Sequence, residues 1–66
     1  MNQFRVSFTG ACDLDAFRAA LQRYPTARQV GERAWRLEAG CHPLVICIRL
    51  AYFFVGPYEI RVDVLG

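Results

Sequence analysis

The stretch Gly40-Cys41-His42-Pro43-Leu44-Val45-Ile46-Cys47-Ile48-Arg49-Leu50-Ala51-Tyr52-Phe53-Phe54-Val55-Gly56-Pro57 decides how this chain is laid out. From Leu44 to Val55 it is apolar at both parities except for Arg49, and it is rich in Val, Ile, Tyr and Phe, the strand-favouring types. A strand reads this way when both of its faces are sheltered, so the run predicts a central strand bracketed by turns at Gly40–Pro43 and Gly56–Pro57. It is too short to span a bilayer, which takes about 18 or more such residues.

Outward from that run the signals are simpler. Tyr58, Ile60, Val62 and Val64 alternate with Glu59, Arg61 and Asp63, the period of a strand with one dry face. Upstream, Arg28 to Ala39 predicts another strand, with a bulge at Gly31 to bring Val30 into phase with Trp35 and Leu37. Asp13 is suited to accept from the free N–H groups of a helix start, and Leu14, Phe17, Leu21 and Tyr24 follow at helical spacing, so a helix is predicted from Asp13 to about Tyr24. Pro25 ends it. Phe4, Val6 and Phe8 mark the first strand. The predicted order is β-α-β-β-β, an α+β fold in which one four-stranded, mostly antiparallel sheet carries one helix on one face. The last three strands would form a meander, and the first would lie parallel to the second or fourth through a right-handed crossover. Residues 1–66 make one compact domain.

Composition narrows the function classes. The chain has 66 residues, eight basic residues that are all Arg, six acidic ones and one His, for a formal charge of +2. Hydrophobic residues are 55% of it, and exchanging tyrosine for glycine in that count only raises a share that is about 45–50% in an ordinary domain. A body this small is mostly surface, so the surplus predicts either a sticky patch or a second copy that covers it. Disorder is excluded by the same numbers. The opening residues lack a secretory pattern, and three cysteines make no disulfide framework, so a reduced, cytoplasmic setting is expected. No cofactor motif is present.

Three groups of residues carry chemistry. The first is the uncovered face of the predicted sheet, where Val45, Arg49 and Phe53 would form an apolar centre rimmed by Arg5, Arg36 and Arg61, the anatomy of a protein interface. Its plain alternative is a solvated face whose charges pair across strands. The second is the segment Arg18, Arg23, Arg28, Arg33 and Arg36, with Glu32 as the only acid in the interval. It is suited to phosphates, with Trp35 or Phe53 offered to an unpaired base, although the overall charge is small. The third is Cys12, Cys41 and His42, which the predicted topology gathers at one end of the sheet as a cysteine-dependent or metal site, or else as an ordinary helix start and turn.

The sequence therefore favours a non-enzymatic module that self-associates as a homodimer or docks another protein. A bacterial or phage accessory protein, or a mobile-element inhibitor of a host factor, fits that description. Nucleic-acid binding is the rival, and no membrane partner is expected.

Overall fold

The computed structural model describes residues 1–66. β1 (Asn2–Cys12) runs through the middle of the sheet and is followed by α1 (Leu14–Leu21), β2 (Arg28–Gly31), β3 (Ala34–Ala39), α2 (Pro43–Ala51) and β4 (Phe54–Val64). The four strands lie in the order β2-β3-β1-β4, and every neighbouring pair is antiparallel. The fold is α+β with a single open sheet, as the sequence predicts. The β-α-β-β-α-β order, with β3 lying between β1 and β2 and β1 between β3 and β4, is the ferredoxin-like topology of two interleaved split units.

The main correction falls on the deciding stretch. Leu44–Val55 is not a central strand: Pro43–Ala51 is helical, and the chain turns at Tyr52–Phe53 before β4 starts. His42 caps the helix, its Nδ1 accepting from the Leu44 N–H at 3.1 Å. Pro43 follows inside the first turn, where its missing N–H costs nothing and its fixed φ suits the helix. The apolar residues at both parities of a strand are thus the all-round apolar surface of a helix, with Ile46 and Leu50 buried one turn apart. A run of this length is compatible with either reading.

The second correction follows from the first. Arg28–Ala39 is a hairpin rather than one strand: it reverses at Glu32–Arg33, and Gly31 pairs with Ala34. The predicted irregularity is present as a register shift between Gln29 and Gly31. The Gln29 side chain donates to the carbonyl of Gly31 at 3.0 Å and closes the loop. There is consequently no meander of the last three strands, and β1 has no parallel neighbour. Gly56–Pro57 lies within β4 instead of ending a strand.

α1 starts as predicted. Asp13 is its N-cap and accepts from the Ala16 N–H at 3.2 Å. Its last turn is tighter and ends sooner, with Tyr24 donating to Leu21 at 3.1 Å ahead of Pro25.

Both helices pack on the face formed by Phe4, Val6 and Phe8 of β1 and Trp35, Leu37 and Ala39 of β3. At one end an aromatic series joins sheet to helix. The Phe8 and Phe17 ring centroids are 4.3 Å apart, Phe17 and Phe54 are 5.5 Å apart, and Phe54 stacks on Tyr58 at 4.8 Å. That last contact spans a bulge at which the β1–β4 register shifts. Gly10 lies opposite with φ +115, and a Cβ there would come within 2.7 Å of the Pro57 carbonyl oxygen. Gly10→Ala is therefore expected to cost about 2 kcal/mol or more, by backbone strain and by displacement of β4. Urea unfolding of the two proteins measures the difference.

Candidate interaction surfaces

α2 is the unusual element. A helix on the surface of a domain keeps one apolar stripe and turns polar residues to water, whereas a helix apolar all round belongs in an interior. α2 has Ile46 and Leu50 in the core, yet Leu44 is 63% and Ile48 73% exposed. Tyr52, one further turn along, is 87% exposed, and Val55 just beyond it 77%. Arg49 is the only charged residue between Pro43 and Val55. It does not face the sheet: its Nη1 donates to the Tyr24 hydroxyl at 3.2 Å across the groove between the helices, and that hydrogen bond holds the guanidinium above its ordinary pKa. The groove holds about 330 Å³ and is lined by Ala20, Arg23, Tyr24, Arg49, Leu50 and Phe53.

The apolar surface continues onto β4. The strand turns Tyr58, Ile60, Val62 and Val64 to the helix side, but the helices cover them only in part: Ile60 and Val62 are half-buried, while Tyr58 and Val64 are exposed. One edge of β4 is hydrogen-bonded to β1 and the other is free.

The uncovered face of the sheet is polar. Val45 and Arg49 lie in α2 and Phe53 follows it, so none of the three belongs to that face, and its predicted apolar centre does not exist. Arg5, Arg36 and Arg61 do lie on it. Arg28 pairs with Arg36 across β2–β3, and Arg36 pairs with Arg5 across β3–β1, which makes a row of three arginines on adjacent strands. Asp63, the acid opposite Arg5, is held by Arg61 at 3.1 Å, the only ion pair in the chain. Arg36 reaches only the neutral Gln3 side chain, at 3.3 Å.

The remaining candidates are dispersed. Arg18 and Arg23 are on the helix side, and Arg33 is tied to the Gly10 carbonyl at 2.9 Å with its guanidinium over the Phe8 ring. Trp35 is 5% exposed in the core and offers no face to a base. Cys12 and the Cys41-His42 pair are at opposite ends of β1, because the hairpin returns β3 to the Asn2 end, where Ala39 pairs. No group of three or more His, Cys, Asp or Glu could hold a metal ion, and His42 serves as a helix cap.

The sequence reading missed Leu44, Ile48, Tyr52 and Val55 as surface residues. Their signal was the four-residue spacing of the first three behind a proline in the first helical turn. No protein-family model, curated protein or solved structure matches the chain, and no helix is long and apolar enough to cross a membrane.

Like charges directly opposite one another destabilise a sheet. Arg36→Thr is thus expected to raise stability by about 0.5 kcal/mol at low salt. The gain should fade as added salt screens the row. Denaturant titrations at two ionic strengths give both numbers.

Proposed function

We propose that this protein is a non-enzymatic protein-interaction module whose working surface is the outer side of α2 together with the adjoining part of β4. The observation that carries this reading is the exposure of Leu44, Ile48 and Tyr52 at four-residue spacing along α2 and its cap. Contiguous apolar patches on a small domain mark association sites, and aromatic anchors such as Tyr52 supply much of the energy where they are buried. The surface relocates the interface that the sequence suggested for the sheet, while the kind of function stays the same. A photoreactive side chain at position 48 is expected to give a defined cross-linked product in the native host, and one at Thr9 on the opposite face none. Ile48→Asp should abolish association while changing the unfolding free energy by about 0.5 kcal/mol or less. No product at position 48 overturns the reading.

The arginine row supports a second reading, the binding of a phosphodiester backbone by the open sheet face. Arg5, Arg28 and Arg36 are free of acidic partners, and the face has no aromatic side chain for stacking, so such binding would be indifferent to sequence. For a single-stranded oligonucleotide, each Arg→Ala change in the row should flatten the plot of log affinity against log salt by about 0.7. An unchanged slope, read by fluorescence anisotropy, removes this reading.

A further inference from the structure

β4 is an edge strand with an unusual set of features. Edge strands are normally kept short, charged or covered to prevent pairing with another chain. This one is eleven residues long, and Gly56–Pro57 interrupts only its first part. Its remaining stretch presents a regular free edge. The Leu65 N–H donates to the Gln3 carbonyl at 2.8 Å, which fixes the phase of the ladder with β1. By the alternation of antiparallel pairing, Glu59, Arg61 and Asp63 turn their backbone groups to β1, and Tyr58, Ile60, Val62 and Val64 turn theirs outward.

We propose that β4 pairs antiparallel with β4 of a second copy about a twofold axis at Ile60, giving one continuous eight-stranded sheet. The proposal deepens the apolar-surface reading and rests on it. Charge complementarity selects both the partner and the register. Residues directly opposite must share a face, so the axis passes through a residue. An axis at Glu59 sets Glu59 against itself. An axis at Arg61 sets Arg61 against itself and Glu59 against Asp63. An axis at Val62 pairs Arg61 with Asp63 but leaves Glu59 against Leu65. With the axis at Ile60, Glu59 opposes Arg61 twice, Asp63 opposes Pro57 and keeps Arg61 of its own chain as its partner, and Tyr58 opposes Val62 twice on the other face. Ile60 is also one of the residues whose N–H and C=O point outward, so it can exchange both hydrogen bonds with its own copy.

The helices fit the same arrangement. A twofold axis perpendicular to the sheet places both α2 helices on one side of it. Arg49 marks the flank of α2 that faces α1, so at 100° per residue Cys47 and Ala51 lie on the opposite flank, with Leu44 between that flank and the outer side, where Ile48 lies. That flank is turned toward the axis. The half-covered Ile60 and Val62 and the exposed Tyr58 and Val64 of both copies would then lie beneath the paired helices, extending the core across the axis.

The test uses two variants of the full chain. Glu59→Arg and Arg61→Glu each create like-charge pairs across the axis and are expected to weaken the dimer by about tenfold or more in sedimentation equilibrium. An equimolar mixture should recover the wild-type affinity as a heterodimer, because each Arg then meets a Glu. That recovery also shows that both variants are folded. A wild type that remains monomeric at millimolar concentration overturns the pairing. If position 48 then cross-links to a different protein, the interaction reading survives. A wild-type dimer broken by Ile48→Asp but insensitive to both charge reversals overturns the edge pairing alone. Weakening by Arg61→Glu without recovery on mixing overturns the register.

Discussion

Two-sided pairing of β1 is the constraint from which the rest of the structure follows. Val6 stands opposite Trp35 of β3 on one side and Val62 of β4 on the other, Phe4 lies likewise between Leu37 and Val64, and Phe8 pairs with Ile60 of β4 while its N–H donates to the Arg33 carbonyl beyond the start of β3. Alternation along this one strand puts Phe4, Val6 and Phe8 into the core and leaves Gln3, Arg5 and Thr9 on the polar face. Each helix then has a fixed task. α1 carries the chain from the end of β1 to β2 at the far edge, and α2 carries it from β3 past β1 to the opposite edge. The second crossover ends in a strand with one free side, so the free edge and the partly uncovered helix face of β4 have the same topological origin.

Much of this was legible in the sequence. The strand at Phe4–Phe8, the Asp13 cap and the alternation from Tyr58 to Val64 are local patterns that agree with their tertiary setting, and each is found where its period put it. The segment Leu44–Val55 was not legible in the same way because its composition and its period disagree. Val, Ile, Tyr and Phe favour strands, and the lack of polar residues erased the asymmetry that distinguishes a helix. What settles the matter is His42-Pro43, a cap followed by a residue that starts helices easily and ends strands. The hairpin at Glu32–Arg33 was hidden for another reason. Neither of its loop residues has positive φ, so it lacks the Asn-Gly or Gly-rich signature by which tight hairpins are recognised.

The surfaces were legible in kind but not in place. Excess apolar composition correctly implied side chains with nowhere to hide, yet assigning them to the sheet depended on the strand reading of α2. Once that segment is helical, the apolar surplus moves to the helix side and the sheet face becomes an array of charge. Arg5, Arg36 and Arg61 remained on the open face because β1 and β4 kept their parity and the hairpin restored that of Arg36. Proximity of Cys12 to Cys41 and His42 failed for the complementary reason, since one unrecognised reversal exchanges the two ends of the sheet.

The central place of β1 also bears on how the chain reaches its folded state. β1 is made before both of its neighbours, β3 following only after α1 and β2, and β4 only after β3 and α2 as well. The pairings of Phe4 with Val64 and of Phe8 with Ile60 thus close loops nearly as long as the domain, a pattern associated with slow folding. Until β4 arrives, one side of β1 has open backbone groups and apolar side chains, the kind of surface that chaperones recognise and that aggregation exploits. Loss of β4 would therefore remove more than an edge: it would leave the middle of the sheet unfinished.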